Sequence, residues 1–339
     1  MNLALPRRVM AAAILFAALI ATLSGGCSLN VSQTPDPARP QQTQQPAVPP
    51  TPDKIEKAQS RVTLPGRVLV VKDGNVWLLT QDAFKQISSG GGSRQPAWSP
   101  DGRQVSFVKN NGSSSDLWVM NADGSGARAI TQFGGGGGKP SNWAFQPAWS
   151  PDGKLMAYTS EEATYDLALW VINADGSGRR QLAALDAYTG GIDTPTWSPD
   201  GTRIAFTAYR DGPQQIWSLG LKNGAWAQLS QNAGGAYDAA WSPDGAHLAY
   251  VGRDNGKNDI WVMDEDGADP VRVTTNGWSR SPAWSPDGSR LGYLDGTGGS
   301  FDFWMVKVTP QDKGLRLDQA EQVTKNAQLD PASGLSWAR

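Results

Sequence analysis

The residues able to do enzymatic chemistry are few in this chain and far apart. His247 is the only histidine and Cys27 is the only cysteine. Nucleophilic catalysis by a Ser-His-Asp arrangement would need His247, but no G-x-S-x-G motif accompanies it. A structural or catalytic zinc site takes several histidine, cysteine or carboxylate ligands, and the sequence offers no such set. We therefore predict no metal site, and we place His247 at an exposed, tolerant position at the start of a strand.

Paired carboxylates are the second arrangement that could do chemistry, as general acid and base on a glycan. Four acidic residues fall in segments that the repeat described below assigns to one face: Glu161, Glu162, Asp193 and Asp238. Nothing in the sequence places any two of them at a working separation. Five further aspartates occur at the same place in successive repeats, so we assign them to turn formation. We therefore predict a protein that is not an enzyme and needs no cofactor.

The single cysteine has a different chemistry, because it follows an export signal. Arg7 and Arg8 precede an apolar stretch from Val9 to Leu23, and small residues then lead to Cys27. This order resembles a bacterial lipoprotein signal, which implies cleavage before Cys27 and attachment of lipid to its thiol. We predict a lipoprotein signal peptide over residues 1–26. The alternatives are an ordinary cleaved signal and an uncleaved anchor.

The segment after the cysteine is predicted to be a tether. From Ser28 to Pro52 it is rich in Pro, Gln and Thr and has almost no large apolar side chain, so it cannot pack a core. We assign residues 27–64 to the lipidated cysteine and a disordered linker, and residues 65–339 to a folded domain. The protein should then be exported to the cell envelope and held to a bacterial membrane by lipid on Cys27, at a periplasmic or outer surface.

The tryptophans predict how the folded domain is organised. Six of the fifteen, the turn tryptophans, stand at the end of a strand: Trp98, Trp149, Trp197, Trp241, Trp284 and Trp337. Six others, the strand-three tryptophans, lie inside short apolar runs: Trp77, Trp118, Trp170, Trp217, Trp261 and Trp304. Both sets recur every ~40–50 residues, which is the period of four-stranded propeller blades. Two series of six therefore predict six copies of one unit.

The sequence around these tryptophans predicts four antiparallel strands in each unit. Five turn tryptophans begin the string WSPDG, whose Pro, Asp and Gly suit a tight turn between strands one and two. Strand two carries an aromatic residue at a fixed place, as in Phe107 and Tyr158. Strand three usually ends at a second tight turn, as in the NADG at Asn121 and Asn173. We therefore predict an all-β, six-bladed β-propeller.

The two ends of the domain predict how the ring closes. The first unit, from about Arg67, has neither a WSPDG string nor a first strand. The last residues, Gly334 to Arg339, supply a lone first strand that contains Trp337. We expect this C-terminal strand to complete the N-terminal blade, which removes two open sheet edges.

The repeat resembles that of the TolB-like family of β-propellers, which are WD-repeat-like. The resemblance rests on WSPDG followed by a hydrophobic-Ala-Tyr/Phe strand, on DLWVM and DIWVM, and on NADGSG. It covers roughly residues 65–339. TolB is the periplasmic partner of the Tol–Pal envelope system, and similar repeats occur in prolyl oligopeptidase-type peptidases. Together with the lipoprotein-like signal before Cys27, the resemblance implies a propeller lipoprotein of the envelope.

Strand order predicts two unlike faces. The WSPDG and NADG turns lie at one end of every blade, the hairpin face, because strands one and three run towards that end. The opposite end, the loop face, carries the loops that lead into strand one and those that join strands two and three. These loops vary in length and chemistry, and binding residues commonly lie in such loops.

Aromatic residues and arginines are frequent in the loop-face segments, and such residues dominate the energetics of many protein interfaces. We place the candidate binding residues in the loops before strand one: Arg94, Trp143, Phe145, Tyr188, Asp193, Tyr237, Asp238, Trp278 and Arg280. The residue four places before each turn tryptophan is expected to ring the channel mouth. The alternative is that Trp143 and Tyr188 only fix long loops and that arginines and aspartates pair with one another.

The net charge of −2 and the lack of a basic stripe argue against nucleic-acid binding. Our main hypothesis is a membrane-anchored, non-enzymatic lipoprotein whose propeller binds a protein partner in the envelope. A second is a glycan or small-ligand binding module, with Trp143, Tyr188 and Trp278 stacking on sugars. A third is a carbohydrate-active or peptidase-related enzyme.

Overall fold

The structure is a computed structural model. It describes residues 62–134, 142–161, 166–185, 190–210, 212–311 and 314–339, and the backbone of the strand Ile55–Lys57. The predicted signal peptide over residues 1–26, Cys27 and most of the predicted tether lie outside this part of the chain, as does Tyr188. Across the described residues, no helix has the length and apolar character needed to cross a membrane.

The described residues form six antiparallel sheets, which we number as blades in chain order. Blade 1 begins with β1 (Ile55–Lys57), β2 (Arg67–Lys72), β3 (Asn75–Leu79) and β4 (Ala83–Gln86). Blade 2 has β5 (Ser93–Trp98), β6 (Gln104–Asn110), β7 (Ser115–Asn121) and β8 (Arg128–Ala129). Blade 3 has β9 (Ala144–Trp149), β10 (Leu155–Ser160), β11 (Ala168–Asn173) and β12 (Arg180–Ala183).

The second half of the ring repeats the same plan. Blade 4 has β13 (Ile192–Trp197), β14 (Arg203–Ala208), β15 (Gln215–Gly220) and β16 (Trp226–Gln228). Blade 5 has β17 (Ala236–Trp241), β18 (His247–Asp254), β19 (Lys257–Asp264) and β20 (Val271–Arg272). Blade 6 has β21 (Ser279–Trp284), β22 (Arg290–Asp295), β23 (Asp302–Pro310), β24 (Leu315–Leu317) and β25 (Glu321–Gln322). The last strand, β26 (Ser336–Ala338), belongs to blade 1.

Strand β26 closes the ring as expected. It pairs antiparallel with β2, so that Trp337 lies opposite Val68. The Trp337 indole N–H donates to the carbonyl of Pro65 at 2.6 Å, and the ring packs edge-on against Phe303 of blade 6. The prediction of an all-β, six-bladed propeller closed by the C-terminal strand is confirmed.

Blade 1 also contains a strand from the segment that the sequence assigned to the tether. Strand β1 pairs with β4, the outer strand of the blade, and Leu64 lies in the core of blade 1. The sheet thus extends ahead of the domain start expected at residue 65. The physical reason is that β4 would otherwise present an unpaired backbone edge, which a short passing segment can cover through backbone hydrogen bonds.

The WSPDG strings form the tight turns expected from their residue types. In blade 2 the Ser99 hydroxyl donates to the Asp101 carboxylate at 2.6 Å and accepts the N–H of Gln104 at 2.9 Å. Gly102 has a φ of +66°, which glycine adopts without steric cost. The same Ser-to-Asp hydrogen bond recurs in the other four WSPDG turns. Repeated local chemistry therefore sets the hairpin face.

The two tryptophan sets differ in burial, which the sequence did not anticipate. The five turn tryptophans of WSPDG are 7–9% exposed, so they belong to the core between blades. Among the strand-three tryptophans, Trp77 is fully buried and packs on Phe84, but the other five are only half-buried. Strand three lies near the outer edge of its blade, where only the short fourth strand covers it. The outer set therefore contributes less to the core than the inner set.

Candidate functional site

The inner strands of the blades share an irregularity that shapes the centre of the ring. In five blades, two residues of strand one stand opposite one residue of strand two, which is a β-bulge. The single opposing residue is the repeated aromatic: Phe107, Tyr158, Phe206, Tyr250 or Tyr293. The first bulge residue has a positive φ in each: Gln95, Gln146, Thr194, Asp238 and Ser281. Gly334 has a positive φ at the same place in the segment before β26.

These six positive-φ residues, which we call the bulge ring, line a central cavity of about 180 Å³. They stand three places before the turn tryptophans. The sequence had placed the ring one residue earlier, at Arg94, Phe145, Asp193, Tyr237, Arg280 and Ser333, and of these only Ser333 lines the cavity. In a regular strand, side chains alternate between the two faces, and this alternation gives the position four places before the turn tryptophan. The bulge inserts one extra residue and so shifts which side chains point to the channel.

One sequence signal could have located the bulges. The residue after the bulge-ring position is proline in four blades: Pro96, Pro147, Pro195 and Pro282. Proline has no N–H to give to a sheet ladder, so inside a sheet it is confined to edges, strand starts and bulges. A proline two places before a turn tryptophan therefore marks the bulge.

Side chains of the bulge ring also connect neighbouring blades. The N–H of Gln146 donates to the side-chain oxygen of Gln95 at 2.9 Å, and the N–H of Thr194 donates to that of Gln146 at 2.6 Å. The Ser281 hydroxyl donates to the carbonyl of Pro331 at 3.0 Å. Backbone groups in the channel wall thus form hydrogen bonds with residues of the adjacent blade. These bonds fix the shape of the cavity.

Two carboxyl groups beside the cavity have raised proton affinities. Burial raises the pKa of Asp193 to about 6, against hydrogen bonds from the Thr194 N–H and the Thr159 hydroxyl. Burial and the neighbouring charge of Asp193 raise the pKa of Asp238 to about 7, although Arg280 acts in the opposite direction. Asp193 and Asp238 are therefore electrostatically coupled. Of the other two predicted carboxylates, Glu161 directly follows β10, strand two of blade 3, and Glu162 lies outside the described residues.

Aromatic side chains surround the loop face of the channel. Trp278 is 58% exposed and Tyr209 is 41% exposed, and they are the most exposed large apolar side chains of the described residues. The Trp143 and Phe145 rings stack with centres 6.3 Å apart and planes 5° apart. Arg253 lies 5.7 Å from the ring centre of Tyr237. Tyr209 was not among the predicted residues, although it follows strand two directly and precedes an arginine.

The predicted binding residues lie closer to the sheets than expected. Arg94, Phe145, Asp193, Tyr237, Asp238 and Arg280 belong to the first strands themselves rather than to the loops before them. Trp143 and Trp278 immediately precede β9 and β21. The backbone of Trp278 is held by a hydrogen bond from its N–H to the Asn276 side chain at 2.9 Å. An ordered backbone therefore carries an indole that faces solvent.

His247 lies away from this site. The sequence predicted an exposed position, but its side chain is not exposed. Its side chain is half-buried between blades 5 and 6, with the ring centre 6.4 Å from that of Trp284. Its Nε2 is 3.6 Å from the Asp264 carboxylate. In the described part of the chain, no group of three or more His, Cys, Asp or Glu side chains is arranged to hold a metal ion.

Comparison with known proteins identifies the repeat. The profile of the TolB beta propeller domain matches residues 139–326, more than half of the chain. The chain belongs to the TolB β-propeller family. The Tol-Pal system protein TolB of Anaeromyxobacter dehalogenans (strain 2CP-C) is 35% identical over 89 residues, which are 26% of this chain and 18% of that protein. This TolB-like chain thus aligns with under a fifth of the length of that relative.

Further similarities extend beyond the Tol–Pal proteins. The uncharacterized peptidase YuxL of Bacillus subtilis (strain 168) is 37% identical over 68 residues, 20% of this chain and 9% of that protein. Among solved structures, TolB from Acinetobacter baumannii has a TM-score of 0.65 at 21% identity, covering 80% of this chain and 66% of that chain. At that identity the structural likeness supports the TolB-like fold alone.

Proposed function

We propose that this TolB-like propeller is a non-enzymatic, lipid-anchored protein of the cell envelope that binds a protein partner through its loop face. The observation that carries the proposal is the exposed indole of Trp278 on a hydrogen-bonded backbone. An exposed indole leaves apolar surface in water, and its burial by a partner would favour the complex. Tryptophan, tyrosine and arginine also dominate the energetics of protein interfaces. Tyr209, Arg253 and Tyr237 supply further residues of this kind around the channel.

The envelope location rests on two separate arguments. The relatives named Tol-Pal system protein TolB support a partner in the envelope. The signal-like segment before Cys27 supports export and lipid attachment, because a basic start and a short apolar run precede small residues and a single cysteine.

The partner proposal is tested by crosslinking and affinity recovery with the full-length, membrane-anchored protein. We expect Trp278→Ala to reduce recovery of the partner at least tenfold, since a central interface tryptophan commonly contributes 2 kcal/mol or more, roughly a 30-fold change in affinity. Arg103→Ala, an exposed change on the hairpin face, is the control and should leave recovery unchanged. Equal recovery with Trp278→Ala, Trp143→Ala and the unmodified protein would remove this site.

A glycan-binding role is the second candidate, because an exposed indole face can also stack on a sugar ring. Trp278 is the side chain that favours it. Calorimetric titration of the full-length protein with cell-wall fragments separates the two: heat that Trp278→Ala abolishes supports a glycan site, whereas a flat titration favours the protein partner.

A further inference from the structure

The hairpin face repeats one packing arrangement at the junctions between blades. At the junctions of blades 1 and 2, 4 and 5, and 5 and 6, the first residue of strand two lies beside the turn tryptophan of the next blade. At the junction of blades 1 and 2, the guanidinium carbon of Arg67 lies 4.5 Å from the Trp98 ring centre. At the junction of blades 4 and 5, Arg203 lies 4.9 Å from Trp241. The molecule therefore stacks its own guanidinium groups on turn tryptophans.

The Arg67 contact also shows which polar groups receive such a guanidinium. Its Nη2 donates to the carbonyl of Gly102, the glycine of the WSPDG turn in the next blade, at 2.9 Å. Its Nε donates to the carbonyl of Arg339 at 2.9 Å. An indole face on one side and backbone carbonyls at the edge thus hold a planar cation at this junction.

The junction of blades 3 and 4 has the turn tryptophan and the turn glycine of this arrangement without the arginine. The residue in the place of Arg67 and Arg203 is Leu155, which belongs to the same apolar cluster as Trp197. A cavity of about 370 Å³ lies here, which we call the blade 3–4 slot. Its walls include Trp197, Leu155, Leu182 and Leu221. Gly201, which corresponds to Gly102, also lines it.

Two carboxylates give the blade 3–4 slot a negative edge. Asp152 and Asp200 come from the WSPDG turns of the two blades. Hydrogen bonds from Ser198 and Thr202 lower the pKa of Asp200 to about 2, and a hydrogen bond from Ser150 lowers the pKa of Asp152, so both are ionised at neutral pH.

Three cations lie close to this edge. Lys154 lies 3.6 Å from Asp152 and is largely exposed, Arg203 acts electrostatically on Asp200, and Arg180 lines the outer edge of the slot. An incoming cation would therefore meet the negative charge of the two carboxylates, which the positive charges of these three side chains partly offset.

We propose that the blade 3–4 slot binds the arginine side chain of a partner polypeptide. The leucines would cover the methylene stem, the Trp197 ring would face the guanidinium, and the Gly201 carbonyl with the two carboxylates would accept its N–H groups. Lysine fits less well, because its ammonium lacks the planar fork that stacks and bonds at once. The slot lies on the hairpin face and is separate from the partner site proposed on the loop face.

The proposal is tested by calorimetric titration of the full-length protein with the peptide acetyl-Gly-Arg-Gly-amide. Peptides carrying lysine or citrulline in place of arginine give the comparison arms. We expect binding of the arginine peptide, about tenfold weaker binding of the lysine peptide and no measurable binding of the neutral citrulline peptide. Equal binding of arginine and citrulline peptides, or no binding of the arginine peptide at millimolar concentration, would overturn the proposal.

Leu155→Arg places a guanidinium in the slot from within the chain. We expect it to weaken peptide binding more than tenfold, while Gln104→Arg, the matched change at the junction of blades 2 and 3, should leave it unchanged. Asp152→Asn, an exposed change, should weaken binding about threefold and serves if Leu155→Arg unfolds. Trp278→Ala should have no effect, which separates this site from the loop face.

A crystal structure of Leu155→Arg gives a readout that needs no peptide. We expect the introduced guanidinium to lie within about 6 Å of the Trp197 ring centre, as Arg67 and Arg203 do on their tryptophans. A guanidinium that points into solvent, or a variant that binds the arginine peptide as the unmodified protein does, would contradict the proposal.

Discussion

Single residues contribute strongly to the chemistry of the channel, because the bulge-ring position places one residue of each blade in the cavity wall. These residues have positive φ values, from +48° at Thr194 to +74° at Gly334. Such a conformation is unusual for a β-branched residue like Thr194 and persists only where the surrounding structure enforces it. Asp238 is the one carboxylate of the ring and sits beside Asp193, so its charge state sets the electrostatics of the cavity.

Asp238→Asn tests the effect of the Asp238 charge on the stability of the protein. The folded-state pKa of about 7 lies above the ordinary value of 3.8, so ionisation of Asp238 removes stability as the pH rises from about 4 to 7. The full displacement corresponds to roughly 4 kcal/mol. Because Asp238 is only half-buried and Arg280 partly compensates its charge, we expect the variant to be about 1–2 kcal/mol more stable at pH 8.

Urea unfolding at pH 4.5 and pH 8 measures this effect, and asparagine retains the tolerance for positive φ. Asp244→Asn, in the turn that follows the same strand, is the control. Burial alone would raise the pKa of Asp244, but hydrogen bonds from Ser242 and the Ala246 N–H lower it overall. Its stabilising contribution is therefore lost as the pH falls, so its variant should be less stable at pH 8. A destabilised Asp238→Asn at pH 8 would contradict the assignment.

Hairpins are the elements that the sequence specifies most directly, because their hydrogen bonds join residues a few places apart. The WSPDG turn satisfies its own polar groups through the serine hydroxyl and the aspartate carboxylate. The bulges of strand one depend instead on the pairing of two strands and on the neighbouring blade, as the hydrogen bond from the Gln146 N–H to the Gln95 side chain shows. Turn positions could therefore be predicted from residue types, whereas the side chains that reach the channel were misplaced by one residue.

Ser99→Ala tests the turn as an element. Ser99 is buried and its hydroxyl both donates to Asp101 and accepts the N–H of Gln104, so its loss leaves a partly buried N–H without its acceptor. We expect a loss of about 1–2 kcal/mol in the free energy of unfolding. Ser125→Ala, in the more exposed NADG turn of the same blade, removes a similar bond to Asp123 and should cost clearly less. Equal losses in urea unfolding would show that burial is not what matters here.

The whole molecule depends on contacts between the two ends of the described propeller. Strand β26 is the inner strand of blade 1, and its residues reach the blades on both sides: Trp337 packs on Phe303 of blade 6, and the Ser336 hydroxyl accepts the N–H of Trp98 in blade 2. The count of six blades and the closing role of Trp337 were predictable, because each repeat carries its own tryptophans and the closing strand lacks a partner of its own. The blade 3–4 slot was not, since it arises from one leucine, Leu155, between two separate repeats.

Trp337→Ala tests the closure. Removing a large aromatic side chain from a packed site costs about 3–4 kcal/mol, and here the loss should be shared by blades 1 and 6. Hydrogen exchange measured by mass spectrometry should therefore accelerate in β2, which pairs with β26, and in β23, which carries Phe303. Trp226→Ala removes a half-buried tryptophan from the outer strand of blade 4, and its effect should remain in that blade. Unchanged protection of β2 in Trp337→Ala would refute the closing role.

The hydrogen bond from Trp337 to Pro65 spans 272 positions of the chain, and this separation constrains the order in which the blades can fold. Blades 2 to 5 can each form soon after their four strands have reached the compartment where the protein folds. Blade 1 cannot, because β2 waits for β26, so its inner backbone groups stay unpaired until the end of the chain arrives. During that interval β26 from a second, finished copy can occupy the vacant place, and exchange of this strand between two chains is the misassembly that the architecture most readily permits.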